Sequence, residues 1–423
     1  MSGPLAKKKK RVRVLLSSYA CEPGKGSEPG VGWKWVEGLA GRVDLAVITR
    51  ANNRETIERD IAARLEEDPL RKVQFHYHDL STSFLRLKRA RLLPTLPYYL
   101  LWQWTASHRF AHEADVSDVV HHLTFCTALC PGFWNHTKAA RVIGPVAAPL
   151  VPESYLPLFG TYRWTQMLRN FITRHFSYLP WLKKSFAGAV AVVPANSDMQ
   201  NMLHGMGIDC EPVMLDTGAL QPVPRIERVV NYETCRFIYA GVLERRKGLE
   251  LALRAFAEAL EGTTAPNIRF VILGKGPDSQ RLKDLATALG IADRIDFIGA
   301  VPQVEVARRF ADADVFVFAS LRDASAGANL EAMAAGLPVL CLAHQGVADI
   351  TDESCAIRVP LGKIRETINR LATAMERLAN DPALRRRLGE NAQMRAIKAF
   401  SWDEKFLRMV EIYESARSKV ESD

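Results

Sequence analysis

Asp323 and Glu331 stand at the two ends of a run in "SLRDASAGANLEAMAAGLPVL" whose seven intervening residues carry no charge: Ala324, Ser325, Ala326, Gly327, Ala328, Asn329 and Leu330. The preceding "DVFVFAS" reads as a buried strand, and "ANLEAMAAG" as a helix that stops at Gly336 before Pro338. Small side chains between strand and helix leave backbone N–H groups bare at a helix N-terminus. Those groups and the positive end of the helix dipole together make an anion site. Glu331, one turn in, can reach ribose hydroxyls, and Asp323 can reach a sugar on the far side of bound phosphates. The same residues have a plainer reading, in which small side chains let the helix pack close to its sheet and both acids are solvated.

Two further loops carry chemistry of the same kind. "GVLERRKG" follows a strand and places Gly241 at its start and Arg246 and Lys247 at the mouth of a helix. Two cations there can neutralise a diphosphate that becomes a leaving group. "LGKGP" puts Gly274 and Gly276 between strand and helix, where a backbone can approach closely. Alone, the first is a solvated pair and the second a turn. Three such loops at the strand ends of one sheet describe a phosphate-binding rim.

The elements that must hold these loops follow from hydrophobic patterning. Apolar runs at 13–18, 43–49, 73–78, 116–123, 141–144 and 189–194 alternate with helical stretches. A second set, at 236–241, 268–274, 295–300, 314–320 and 337–342, does the same, with helices starting near Leu249, Ser279 and Val304. Continuous apolar strands separated by helices predict parallel sheets covered on both faces. The fold class is therefore α/β, two doubly wound, Rossmann-like parallel-sheet domains in tandem. The proline-bearing stretch "LDTGALQPVPRIERVVNYETC" reads as the linker, so the first domain is placed at 1–221 and the second at 222–399. Ligands of such sheets lie beyond the carboxyl ends of the strands, so two sheets face to face enclose a cleft.

Composition excludes several classes. With 423 residues, 48% hydrophobic and 24% charged, the chain reads as globular and too long for one core. No apolar run is long enough to span a membrane, and "MSGPLAKKKKRVR" does not open a signal peptide, so a cytoplasmic protein is expected. Seven cysteines, an odd number, read as reduced thiols, and Cys126 and Cys130 lack the second pair a zinc site needs. The net charge of +9 is lopsided: residues 1–220 carry 27 Lys and Arg against 19 Asp and Glu, the remainder 29 against 28. Nucleic acid is not the expected partner, since no finger spacing, aromatic RNA-binding signature or basic coiled coil is present. An anionic membrane surface is the other candidate. It is suggested by 83–104 and 159–186, where Lys and Arg interleave with Trp, Tyr, Phe and Leu, although helices with solvated charges covering the sheet would look the same. The "AKKKKR" run adds to the positive charge or is a tail. "DAD" at 312–314 caps a helix and opens a strand, so it is assigned to structure.

Taken together, "YACEPGKGSEPGVGW", "VVHHLTF", "IGPV", "GVLERRKG", "LGKGP", "SLRDASAGANLEAMAAGLPV" and "FSWDEKF" resemble the family 4 glycosyltransferases, retaining enzymes of the two-Rossmann GT-B fold. Members that build bacterial exopolysaccharides and lipid-linked oligosaccharides look particularly similar. The resemblance implies that Asp323 lies near the transferred sugar, that Glu331 holds the nucleotide ribose and that Arg246 and Lys247 meet the donor diphosphate. It implies a first-domain glycine loop at Gly26, Ser27, Gly30 and Gly32. It also implies an active-site histidine at a strand end, His121 or His122; neighbouring strand residues face opposite ways, and His121 is the one expected in the cleft. It further implies that the last helix, about 400–423, crosses back to complete the first domain, with Trp402 as an anchor. No cofactor or metal is implied beyond the substrate itself, a UDP- or GDP-sugar, and the implied acceptor is lipid-linked or a glycan, met at the inner face of a bacterial cytoplasmic membrane. Three departures from the family pattern stand out, Val242, Ala147 and Ala148. They keep two rivals open, an inactive sugar-binding descendant and an enzyme with a soluble acceptor.

Overall fold

The computed structural model describes residues 10–90, 92, 94–175, 179–219, 234–262, 267–324 and 327–422. The first sheet comprises β1 (Arg13–Ser18), β2 (Asp44–Arg50), β3 (Gln74–His78), β4 (Val119–Thr124), β5 (Ala140–Val146) and β6 (Ala191–Pro194). The second comprises β7 (Thr234–Ala240), β8 (Asn267–Leu273), β9 (Ile295–Gly299), β10 (Val315–Phe318), β11 (Val339–Leu342) and β12 (Ala356–Val359). Both are parallel and share one plan, β3-β2-β1-β4-β5-β6 and β12-β11-β10-β7-β8-β9. In each the strand order reverses once, between β1 and β4 and between β7 and β10. The crevice opened by that reversal is where doubly wound sheets bind ligands.

Of the helices, those that bear on the site are α1 (Ser27–Leu39), α2 (Arg163–His175), α3 (Pro180–Ala187), α4 (Leu249–Gly262), α5 (Gln303–Ala311), α6 (Gly327–Ala334) and α7 (Trp402–Ser422). Alternation along the strands feeds a core on each face of each sheet. Val14 and Leu16 pack with Trp35, Phe406 and Tyr413, whereas Leu15 and Val120 pack with Tyr98, Tyr99 and Trp102 on the other side. Long-range parallel pairing of this kind buries the central strands, leaves the edge strands β3 and β9 partly exposed, and frees the loops at the strand ends for function.

Two segments do not respect the division at the linker. The last helix, α7, lies in the first-domain core, where Trp402 meets Trp35 edge-on with ring centroids 5.7 Å apart and Arg42 pairs with Asp403 at 3.0 Å. In the other direction Val151, Tyr155, Leu156 and Phe159 are buried in the core of the second domain, and the Tyr155 hydroxyl bonds Thr367 Oγ1 at 2.6 Å. The linker residues 220–233 and the lysines of the initial basic run, 7–9, lie outside the described residues.

Candidate active site

Two of the three predicted phosphate loops, those after β7 and β10, sit at the strand-order reversal of the second sheet, and the third follows β8, the next strand. The chain leaves β7 through Gly241, forms one 3-10 turn over Arg245–Lys247, and enters α4 after Gly248, whose φ of 65° suits glycine. The chain leaves β10 through Ser320 and reaches Asp323. The two loops meet there: Lys247 Nζ is ion-paired with Asp323, and the Leu321 N–H donates to the Arg246 carbonyl at 2.8 Å. Arg246 Nε donates to Glu244 at 2.6 Å. The third loop buttresses these two. A β-carbon on Gly274 would lie 1.8 Å from the Gly241 carbonyl oxygen, and one on Gly276 2.2 Å from that of Leu243, so these glycines are required for the loops to stack.

Beyond Asp323 the helix α6 begins at Gly327, against the Thr217 side chain, and Ala328 is partly exposed. Asn329 and Leu330 are buried, so they offer a ligand only backbone. Glu331 accepts from Gln303 Nε2 of α5 at 2.8 Å, and burial, partly offset by that bond, raises its carboxyl above the usual range. Ser325 and Ala326 lie outside the described residues.

Across the cleft the glycine loop divides its work. Gly26 faces the second domain, 3.9 Å from Gln303 Oε1 if it bore a β-carbon, so it approaches the amide that holds Glu331. Gly30 and Gly32 have a local role instead, since β-carbons there would lie 2.1 Å from the Lys25 carbonyl oxygen and 1.9 Å from that of Ala20. Ser27 opens α1 with a φ of 57°, a strained backbone for a residue with a side chain.

Neither histidine takes the expected position. His121 is fully buried, donating from Nε2 to the Gly144 carbonyl at 2.5 Å and accepting at Nδ1 from the Tyr413 hydroxyl of α7 at 2.6 Å. Both nitrogens therefore serve the fold, and burial drives its pKa down to about 4. Strand parity puts His122 on the opposite face, against Tyr99 and Gln103, where burial and then His121 hold it neutral, down to about 3. Tyr413→Phe should leave the His121 ring short of a donor and cost about 1–3 kcal/mol in urea unfolding. Nucleotide affinity, measured by calorimetry, should not change.

Residues with no signature in the sequence complete the cleft. Glu28, in the first turn of α1, is half-buried, takes the Cys126 N–H, and faces Asp216 and Asp323; burial first and Asp216 next push it up to about 8. Gln345 has a φ of 53° and spans both domains, accepting from the Asp323 N–H at 2.8 Å and donating to the Leu150 carbonyl at 2.6 Å. Asn196 Nδ2 donates to the Ala324 carbonyl at 3.0 Å, and Arg245 donates to that of Leu158 at 2.7 Å. Ala147 and Ala148 are buried in the first domain, and the Val242 carbonyl accepts from the Tyr239 hydroxyl at 3.0 Å.

The raised Glu28 makes a pH prediction. Between about pH 4.5 and 8 the folded chain keeps a proton that the unfolded chain has released, so this group lowers stability as pH rises through that window. Glu28→Gln should therefore gain on the wild type by about 1–2 kcal/mol between pH 5 and pH 9, the partial exposure limiting the effect. Urea midpoints at the two pH values check it.

Residues 227–395 match the family model described as glycosyl transferases group 1. The second domain belongs to that family, the family 4 type of GT-B glycosyltransferases. The putative colanic acid biosynthesis glycosyltransferase WcaL of Escherichia coli (strain K12) is 28% identical over 204 residues, 46% of this chain and 50% of that protein. The D-inositol 3-phosphate glycosyltransferase of Corynebacterium jeikeium is 28% identical over 231 residues, 53% and 52%. The chain thus spans about half the length of the curated relatives it matches. The fold match is longer: sucrose-phosphate synthase of Thermosynechococcus elongatus covers 97% of the chain and is itself wholly covered, with a TM-score of 0.65 at 18% identity. HepE of Anabaena, in complex with UDP, gives 0.61 at 13% identity over 96% of this chain and all of that one. This group 1 glycosyltransferase domain and the domain before it make a GT-B fold, and the reversal of strand order in each half opens onto the cleft between them.

Proposed function

We propose that the protein transfers a hexosyl residue from a UDP- or GDP-linked sugar to a lipid-linked or polysaccharide-precursor acceptor, with retention at the anomeric carbon and without a metal ion. The observation that carries this reading is the meeting of Lys247 with Asp323, where the loops after β7 and β10 converge at the strand-order reversal of a group 1 domain. As the nucleotide departs, negative charge grows on its diphosphate, and Lys247, Arg246 and the N-terminus of α6 stabilise it in place of a metal. Positive charge grows at the anomeric carbon beside Asp323. Glu331 holds the ribose. With no side chain assigned as nucleophile, the diphosphate oxygen takes the proton of an acceptor hydroxyl attacking from the same face. Closure of the cleft keeps water from the donor.

Incubation of the full chain with a panel of labelled nucleotide sugars, alongside calorimetry with UDP and GDP, tests the proposal. Transfer or slow donor hydrolysis that survives EDTA is the expected result. Nucleotide binding with neither transfer nor hydrolysis would make it a binding protein, and the absence of nucleotide binding would remove the reading altogether.

A further inference from the structure

The helix α2 is built inside out. The side it turns to the protein is polar: Asn170 and Thr173 are 6% and 3% exposed, and Asn170 donates to the Val151 carbonyl at 2.7 Å and accepts from the Val151 N–H at 3.2 Å. Gln166 accepts from Arg322, and Arg174 pairs with Glu153 at 2.8 Å. The side it turns to solvent is apolar: Trp164 is 63%, Leu168 60% and Phe171 62% exposed, with Met167 and Ile172 beside them. These positions recur at four, three and one residues, the spacing of a single helical stripe. An ordinary surface helix of a folded domain presents the opposite arrangement. Trp181 and Leu179 continue the exposure at the start of α3.

Charge around this stripe is mostly positive, with Glu153, paired to Arg174, the acid beside it. No acidic residue occurs between Glu153 and Asp198, while Arg163, Arg169, Arg174, Lys183 and Lys184 do. Arg163 stacks on Trp164, 4.9 Å from its ring centroid. Arg246 donates to the Arg322 carbonyl at 3.4 Å, and Arg169 of α2 lies close enough to these two side chains for the three to repel one another. Desolvation, then Arg169 and Arg246, drive Arg322 down to about 9; desolvation and Arg246 lower Arg169. Glu244, paired with Arg246, and Asp323 offset part of this charge, but among the described residues neither Arg169 nor Arg322 forms an ion pair, and the excess is what an anion would neutralise.

We propose that α2 seats on an anionic phospholipid bilayer, its apolar stripe in the interface and Arg169 with Arg322 as counter-charges to a lipid phosphate at the mouth of the cleft. Among the described residues no helix is long and apolar enough to cross a membrane, so the contact is interfacial. It rests on the acceptor class proposed above and gives that acceptor a way in: the phosphate is held beside Arg246 while the apolar part stays in the bilayer.

Flotation of the full chain with vesicles of phosphatidylcholine, alone and with phosphatidylglycerol admixed, tests this. The protein should float with the phosphatidylglycerol vesicles and detach as salt rises. Leu168→Ser with Phe171→Ser should reduce partitioning by at least about tenfold while circular dichroism stays that of the wild type, because both side chains are exposed. Arg169→Gln with Arg322→Gln should abolish the preference for phosphatidylglycerol. Failure of the wild type to float with either vesicle overturns the proposal. So does a dimer, seen by analytical ultracentrifugation, that the serine variant turns to monomer with vesicle binding unaltered. Calorimetry with UDP and GDP on the same preparation separates the two readings: nucleotide binding without flotation removes only the bilayer contact, and flotation without nucleotide binding removes only the transferase.

Discussion

Lys247→Ala is expected to lower turnover by about 10²–10³-fold, the range found when one preorganised charge is taken from a developing anion. The residue sits at the end of a 3-10 turn fixed by Gly248, with its ammonium against Asp323 and 5.5 Å from the centroid of the Phe318 ring. A lysine held by two partners in the free protein is already oriented, so little freedom is lost when a diphosphate arrives. Loss of the charge should weaken inorganic pyrophosphate and UDP or GDP alike, because the contact is to phosphate and not to the nucleoside. Lys247→Arg should restore binding better than turnover, since a planar fork cannot occupy the place of a point charge. Unchanged pyrophosphate affinity in the alanine variant, by calorimetry, would place the diphosphate elsewhere.

The parts of this site that the sequence made legible are those carried by local pattern. β1 and the starts of the helices at Leu249 and Ser279 fall where hydrophobic period and turn residues put them. β12 has no such pattern: Ala356–Val359 is a four-residue edge strand with Arg358 in it, too short and too polar to show a period. The misplacement of His121 has a different cause. Strand parity correctly separates it from His122, but which face is covered depends on α7, whose Tyr413 lies 292 residues downstream. Local spacing carries no information about such a contact. Glu28 carries no signal in the sequence because a lone acid among glycines has no period at all, and it acquires meaning only when Asp216 and Asp323 are brought opposite it. The inverted helix is instructive in the same way. Sequence shows the mixture of aromatic and basic residues at 159–186, but only the bonds of Asn170 to Val151 decide that the polar side faces inward.

Glu331→Ala is expected to weaken UDP or GDP by about 10–100-fold while leaving inorganic pyrophosphate unaffected. A carboxylate accepting from two ribose hydroxyls makes charge-assisted bonds, each contributing about 1.5–3 kcal/mol less the cost of desolvation. In the free protein that cost is already partly met: Glu331 is half-buried on α6, its carboxyl raised by burial and held by Gln303. The amide is a weaker partner than a pair of hydroxyls, so exchange of one for the other favours binding. A comparison with 2′,3′-dideoxynucleoside diphosphates isolates the contact, because the wild type should lose affinity for them by the amount the variant loses for UDP or GDP, and the variant should lose nothing further. If instead the two losses add, Glu331 acts on some other part of the nucleotide. The same cycle run with Gln303→Ala, which removes the partner but not the carboxylate, should shift the pH dependence of binding upward and leave the hydroxyl preference in place, since an acid without its stabilising donor gives up its proton at higher pH.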